Sequence, residues 1–251
     1  DFCLSRGLGD VYKRQAYNVA RKNHDVFLYE IGRVFFGNGK GELPDEVEYL
    51  SGIMTGEYSG NQWQGKKEIT DFYLAKGILD AVAEKLDIEF GYQAAQIDGL
   101  HPGRTAQVLL NDEVIGFIGE LHPQLAEDND LKQRTYVFEL NYDKIMDVSV
   151  GYINYQPIPK YPGVTRDIAL EVDTTVSAAE LLSTIKANGG TIFKDAHVFD
   201  VYEGEHMEEG KKSVAIRIAY LDKDNTLTDE QVTAVHNQIV DALTAQGATI
   251  R

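Results

Sequence analysis

Residues 199–232 constrain the fold more than any other part of this chain. Apolar side chains occupy every second position of residues 213–221, and this period of two indicates a strand with one packed face. After a turn at Asp224-Asn225, Thr228 and Gln231 have the spacing of a capping box, which predicts a helix start. Gly247 is placed to end that helix. The apolar positions of the strand are Val214, Ile216, Ile218 and Tyr220; those of the helix are Val232, Val235, Ile239 and Leu243.

The flanking residues complete a six-element unit. Ile168, Leu170 and Val172 alternate with polar or small residues and predict a strand at residues 164–173. Ser177 and Glu180 form a second capping box, and the helix that it opens is predicted to end at Gly189-Gly190. A short strand at 248–251 follows. The order strand, helix, strand, strand, helix, strand predicts a ferredoxin-like βαββαβ domain, in which two helices cover one face of an antiparallel sheet.

Several motifs in this unit resemble a known family. YPGVTRDIALEVD, FDVYEG, GKKSVAIRI and LTDEQV, in this order, are similar to the ferredoxin-fold anticodon-binding domain of bacterial phenylalanyl-tRNA synthetase beta subunits. Upstream, LYEIGRVF, DFYLAKGILD, LHPGRTAQV and IGFIGELHP resemble the catalytic-like module of the same subunit. The resemblance runs from about Ala16 to Arg251. It implies an α+β protein in which part of a class II synthetase-like antiparallel sheet domain precedes the ferredoxin-like domain.

We expect four segments along the chain. Residues 1–15 have no sustained period and match none of these motifs, so we interpret them as a non-native or disordered leader. Residues 16–149 are predicted to form the C-terminal part of the catalytic-like module, a mixed sheet with strands at 24–36, 50–56 and 136–141, a helix capped by Thr70, and a hairpin turning at Asn111-Asp112. Residues 150–162 contain three of the six prolines and are predicted as a linker. Residues 163–251 are the ferredoxin-fold domain.

Composition and charge limit the possible functions. The chain has 43% hydrophobic and 25% charged residues, as a folded water-soluble domain does, and its single cysteine rules out an internal disulfide. We expect no membrane span and, from the family, a cytoplasmic location. The net charge of −16 argues against a protein whose main work is to grip nucleic acid. From Lys160 onward nine basic residues face fifteen acidic ones, a net −6, so any contact with RNA is predicted to be local.

Two histidine segments flank the predicted hairpin, His101-Pro102-Gly103-Arg104 and Glu120-Leu121-His122-Pro123. A metal site would account for two histidines beside a glutamate, but neither HxxxH nor HExxH spacing is present, and proline after each histidine favours turns. We therefore predict no metal ligand. Arg33 and Arg104 lie outside any recognisable ATP-binding motif, so we assign no catalytic residue. The acidic side chains of the first domain are interpreted as solvated carboxylates: Glu46, Glu48, Asp143 and Asp147.

The candidates for RNA contact all lie in the last hundred residues. An aromatic ring can stack on a base, and lysine or arginine can meet phosphates. The competing interpretation is that the tyrosine covers the sheet edge and the paired lysines keep a hairpin loop soluble. The candidates are Lys160, Tyr161, Arg166, Lys211, Lys212 and Arg217.

The resemblance implies a function for the whole assembly. Family members are α2β2 tetramers in which the alpha subunit uses ATP and magnesium to attach phenylalanine to tRNA(Phe). The catalytic-like module of the beta subunit packs against alpha, and the ferredoxin-like domain contacts the anticodon region. This implies partners in the alpha subunit and tRNA(Phe), and neither DNA nor membrane. This chain alone is expected to bind no cofactor and to be inactive.

Two hypotheses compete with this one. The chain is a purely structural piece of the tetramer without RNA contact, which the net charge favours. Alternatively, it is a free-standing enzyme or small-ligand regulator on a ferredoxin-like fold. The sequence argues against this second hypothesis, because it has neither a nucleophile–base pair nor a glycine-rich phosphate loop.

Overall fold

The fold is described from a computed structural model, for residues 17–18, 21–37, 43–58, 63, 68–148, 155, 157–204 and 207–251. The predicted leader, residues 1–15, lies outside this range, as does most of the loop at 37–44. The chain divides into two compact units between Asn154 and Tyr155, a point inside the segment predicted as a linker. No helix in the described part of the chain is long and apolar enough to cross a membrane.

The first unit contains a six-stranded antiparallel sheet in the order β1-β2-β6-β5-β4-β3. This arrangement confirms the predicted α+β class. Its strands are β1 (Val26–Phe36), β2 (Asp45–Thr55), β3 (Gly91–Ala94), β4 (Leu100–Leu110), β5 (Glu113–Leu121) and β6 (Thr135–Asn141). Its helices are α1 (Phe72–Lys85), α2 (Pro123–Asp128) and α3 (Tyr142–Val148).

Helix α1 covers the middle of this sheet with Ala75, Leu79 and Ala83, all of which belong to the main core of the unit. The predicted cap was wrong by one residue. Asp71 is the N-cap, and its carboxylate accepts a hydrogen bond from the Leu74 backbone N–H at 2.7 Å. Thr70 is buried instead, where its hydroxyl donates to the Gly56 carbonyl at 2.8 Å.

The β4–β5 hairpin turns where predicted. Asn111 and Asp112 both have positive φ, 50° and 65°, as a two-residue type I′ turn requires. The prediction that residues 101–104 form a turn was wrong, because β4 runs through them with an irregular register between Leu100 and Thr105. A bulge accommodates proline because it interrupts the ladder of hydrogen bonds that proline cannot join.

The second unit is the predicted βαββαβ domain. Its sheet is antiparallel throughout, in the order β10-β7-β9-β8. The strands are β7 (Val164–Asp173), β8 (Phe193–Tyr202), β9 (Lys211–Tyr220) and β10 (Thr249–Ile250). The helices are α4 (Ala178–Asn188) and α5 (Asp229–Ala245), and a 3-10 turn occupies Gly190–Ile192.

Both predicted capping boxes are formed, at Ser177 with Glu180 and at Thr228 with Gln231. The apolar residues of β9 that were assigned to its packed face are buried against the helices and are at most 1% exposed, which confirms that assignment: Val214, Ile216, Ile218 and Tyr220. Leu181, Ile185, Ile239 and Leu243 of the two helices join them in one core. The residues of β9 that alternate with these buried side chains therefore lie on the other face of the sheet.

A candidate nucleic-acid interface

The open face of the second sheet is lined by the odd-numbered residues of β7 and β9. Asp167 and Arg217 are exposed there, directly opposite each other in the antiparallel register. Ala169 and Ala215 form the next opposed pair and are partly exposed. Because these alanines are small, they leave the backbone accessible to a flat group lying on the sheet.

Edge strand β8 adds two aromatic rings to this face. Phe199 and Tyr202 are 49% and 43% exposed, and the Arg217 guanidinium carbon lies 5.2 Å from the centre of the Phe199 ring. Tyr202 is paired with Ser213, which alternates onto the open face of β9. Exposed aromatic rings on a strand are a platform on which unpaired bases stack. Neither residue was a candidate from the sequence. Two residues three positions apart point to opposite faces of a regular strand, and the register shift between Val198 and Asp200 is what brings both rings to one face.

Arg217 is not a free cation. Its Nε and NH2 atoms each donate to a carboxylate oxygen of Asp167 at 2.7 Å. These hydrogen bonds lower the pKa of Asp167 and raise the pKa of Arg217. The pair is nearly half exposed on both sides, so water and salt screen it.

Three more of the predicted RNA-contact residues are also engaged within the domain. Lys211 pairs with Glu208 at 2.8 Å and with Glu171 at 3.2 Å, and Arg166 pairs with Asp229 at 2.9 Å. Lys212 Nζ donates to the Thr174 carbonyl at 3.0 Å. A phosphate would have to compete with these partners, so the charge available to RNA is smaller than the sequence indicates.

The two remaining candidates, Lys160 and Tyr161, lie at the other end of the sheet, just before β7. With Lys223 and Asp224 from the loop after β9 they line a cleft of about 330 Å³. Neither Lys160 nor Tyr161 forms a hydrogen bond or ion pair with any residue that the structure describes. The structure thus spreads the six candidates along β7 and β9, from Lys160 and Tyr161 at one end to Lys211 and Lys212 at the other, and does not bring them into one patch.

The histidine segments of the first unit have structural roles. His101 Nδ1 accepts from the Gly103 backbone N–H at 3.1 Å, and His122 Nδ1 caps α2 by accepting from Gln124 at 3.2 Å. In the described ranges, no group of three or more His, Cys, Asp or Glu side chains is arranged to hold a metal ion.

Glu120 is buried near these histidines, and both its oxygens lie 3.1 Å from Arg104 NH1. It also accepts a hydrogen bond from the Tyr136 hydroxyl at 2.9 Å. Burial, with help from this bond, raises the pKa of Tyr136 to about 12. A buried carboxylate with an arginine and a phenol as partners is satisfied, and it needs no metal.

The acidic residues interpreted as solvated carboxylates lie at the surface, and three of them also have partners within the first unit. Glu46 and Glu48 lie on β2 opposite Arg33 of β1 and pair with it at 3.1 Å and 3.4 Å. Asp143 accepts a hydrogen bond from the Glu48 backbone N–H at 2.9 Å. These contacts join β1, β2 and α3, since each of the three elements supplies one partner.

Two protein families match the chain. The family described as "Phenylalanyl tRNA synthetase beta chain CLM domain" matches residues 8–142, and the family described as "Ferredoxin-fold anticodon binding domain" matches residues 159–251. The first match includes residues 8–15 of the segment interpreted above as a leader. The resemblance recognised from the motifs is confirmed by both matches.

Curated relatives agree with these families. Phenylalanine–tRNA ligase beta subunits from the Staphylococcus aureus strains MSSA476, MW2 and MRSA252 are each 70% identical over 236 residues, 94% of this chain. The chain spans 29% of the length of each of these relatives. Among solved structures, pyrrolysyl-tRNA synthetase from Desulfitobacterium hafniense is 15% identical with a TM-score of 0.41, covering 57% of this chain and 48% of that one.

Proposed function

This chain belongs to the phenylalanyl-tRNA synthetase beta chain family, and from that premise we propose that it is a non-catalytic part of a phenylalanine–tRNA ligase whose second unit contacts the anticodon region of tRNA(Phe). The observation that carries this proposal is the open sheet face with Phe199, Tyr202 and Arg217. Stacking on these rings does not depend on an excess of positive charge, so it is compatible with the acidic composition of the unit.

The chemistry of the whole ligase is proposed to lie outside this chain. The alpha subunit would use ATP and magnesium in the cytoplasm to phenylalanylate tRNA, and this chain would bind neither. The buried Arg104–Glu120–Tyr136 contacts support this division, because the arginine and the carboxylate are already paired with each other. We expect the isolated 251 residues to form no phenylalanyl-tRNA. Measurable aminoacylation by the isolated chain would contradict this.

The first unit is proposed to support the alpha subunit. Strand β1 is an edge strand of the described sheet, and four of its side chains form an apolar stripe on the face where Met54 is buried, interrupted between Ile31 and Phe35 by the ion-paired Arg33. A stripe of this kind is typical of a surface that another polypeptide covers. Its members are Phe27 (36% exposed), Tyr29 (76%), Ile31 (47%) and Phe35 (58%).

The anticodon contact is tested by removing the rings. Replacing Phe199 and Tyr202 together with leucine keeps apolar area but removes stacking, which contributes about 1–3 kcal/mol per base. Binding of the tRNA(Phe) anticodon stem-loop should weaken at least fivefold, and the conservative pair Phe199→Tyr and Tyr202→Phe should restore it. Val201→Leu, on the same strand, is the matched control. Equal affinity for the leucine variant and the unmodified chain would refute the platform.

A purely structural role is the second candidate function. The internal ion pairs of Arg166, Lys211 and Arg217 favour it, because they leave fewer cations for RNA. Under this hypothesis the chain does not bind tRNA, while Tyr29→Glu with Ile31→Glu abolishes co-purification with the alpha subunit. Co-purification and tRNA binding are therefore measured on the same preparations, since each hypothesis predicts a different loss.

A further inference from the structure

We propose that the cleft between residues 157–161 and the loop at 223–224 binds one unpaired nucleotide of tRNA, as a second contact separate from the rings of β8. This inference rests on the proposed function, since it names a further part of the RNA-binding surface of the same unit. The base would stack on Tyr161, and the flanking phosphates would meet Lys160 and Lys223.

The lining of the cleft combines the groups that a nucleotide requires. Tyr161 is 36% exposed and supplies an aromatic face, while Ile158 is 83% exposed and supplies an apolar wall. Lys160 and Lys223 are exposed, and among the lining residues that the structure describes Asp224 is the one acidic side chain. The volume of about 330 Å³ suits a single small ligand group of nucleotide size and no larger structure.

The cations of this cleft differ from three of the other predicted RNA-contact residues. Within residues 157–204 and 207–251, neither Lys160 nor Lys223 forms an ion pair or a hydrogen bond with another described residue. Arg166, Lys211 and Arg217 each have a carboxylate partner. A phosphate can therefore approach the two lysines of the cleft without displacing an existing partner.

The backbone of both walls of the cleft is restricted before any ligand binds. Pro157 and Pro159 restrict the backbone on one side. On the other side, the Asp222 carboxylate accepts hydrogen bonds from the backbone N–H groups of Asp224 (2.9 Å) and Asn225 (3.3 Å), which fixes the loop that carries Lys223. Preorganised walls reduce the ordering cost of binding.

The cleft is separate from the aromatic platform. It lies where β9 ends at Tyr220, whereas Phe199 lies beside Ile216 and Ala215 in the register of β8 and β9. Four to five residues along a strand correspond to roughly 15 Å. The two contacts would hold different nucleotides of one RNA, so each can be removed without the other.

The test measures tRNA(Phe) binding by the full chain across a salt series. Each phosphate contact to a single-stranded segment contributes about 0.7 to the slope of log affinity against log salt, so Lys160→Gln with Lys223→Gln should lower the slope by about 1.4. Tyr161→Leu should weaken binding roughly 5- to 100-fold, and Tyr161→Phe should restore it. Thermal unfolding of each variant shows that the fold is retained.

The matched control is Lys85→Gln with Lys132→Gln, which removes the same charge from exposed positions of the first unit. We expect its slope to stay close to that of the unmodified chain. An unchanged slope for the Lys160 and Lys223 variant, with tRNA still bound by the unmodified chain, would overturn the cleft alone. An equal fall in both double variants would overturn it too, because it would show a bulk charge effect. Failure of the unmodified chain to bind tRNA would overturn the proposed function and the cleft together.

Discussion

The ion pair between Asp167 and Arg217 predicts that one substitution strengthens RNA binding. Replacing Asp167 with Asn removes a negative charge from the open face and releases the guanidinium from its two 2.7 Å hydrogen bonds. Arg217 already lies over the Phe199 ring, so a released guanidinium would stay beside the proposed stacking platform. We expect Asp167→Asn to bind the tRNA(Phe) anticodon stem-loop more tightly than the unmodified chain.

The size of the gain follows from the number of contacts. One additional phosphate contact to a single-stranded loop changes the slope of log affinity against log salt by about 0.7, which is about fivefold in affinity at roughly 0.1 M salt. The loss of folding stability should be small, because both side chains are nearly half exposed. Fluorescence anisotropy with a labelled stem-loop, at four or five salt concentrations, measures affinity and slope together.

Two controls make this prediction specific to Arg217. Asp241→Asn removes the same charge from the exposed side of α5 and should change affinity much less. Adding Arg217→Gln to Asp167→Asn should remove the whole gain and return the affinity and the salt slope to about those of the unmodified chain, because both charges of the pair are then absent. If the gain of Asp167→Asn persists after Arg217→Gln is added, the guanidinium is not its source, and the reasoning is wrong.

Three further predictions concern stability, measured by urea unfolding of the chain. Ile216→Ala, at a site with no exposed area, should cost about 2–5 kcal/mol, against less than about 0.5 for Val201→Ala, which is 52% exposed; similar costs would contradict the burial assigned to Ile216. Thr228→Ala should cost about 1 kcal/mol through loss of the α5 cap, and no cost would show the capping box to be unimportant. Hydrogen bonds from Thr175 lower the folded-state pKa of Asp173, and a hydrogen bond from the Asp224 backbone N–H lowers the folded-state pKa of Asp222. The two carboxylates therefore stabilise the fold fully above about pH 4, and this stabilisation is lost as pH falls through the lowered pKa values. The double variant Asp173→Asn with Asp222→Asn should therefore lose less unfolding free energy on acidification than the unmodified chain. An unaltered pH profile would contradict this.

The second unit could be predicted from sequence because its determinants are local. A capping box depends on two residues three positions apart, and Thr228 with Gln231 satisfies it without reference to the rest of the fold. The strand faces follow from the period of two, and Ile216 and Ile218 are buried as that period requires. Two helices and three strands fixed in this way leave little choice of topology.

The state of the cationic residues could not be predicted in the same way. Asp167 and Arg217 are 50 positions apart and meet because β7 and β9 pair in one particular register. Lys223 was not a candidate, because nothing in its neighbours indicates that its loop faces residues 157–161. Long-range register is a property of the folded sheet, and a charge pattern along the chain does not contain it.

In the first unit, the errors have other causes. Strand β2 begins at Asp45 and not near Leu50; Val47 and Tyr49 alternate with Glu46 and Glu48, so the period of two was present in the sequence and was missed. Helix α3 was not predicted, because a seven-residue helix with Ile145 as its buried residue has too few turns to show a period.

The acidic charge of the second unit is compatible with RNA binding, and it predicts that this binding depends weakly on salt. A basic RNA-binding surface that neutralises six to ten phosphates of a single strand has a salt slope of roughly 4 to 7. In this unit, Lys160 and Lys223 line the proposed cleft without described partners, while Arg166, Lys211 and Arg217 are paired with carboxylates. The two lysines of the cleft correspond to a slope of about 1.4, and the exposed Lys194 is a further cation without a described partner. Stacking on Tyr161, Phe199 and Tyr202 supplies the rest of the affinity. A measured slope steeper than about 4 would mean that the internal ion pairs open when RNA binds, and the division between paired and available cations would then be wrong.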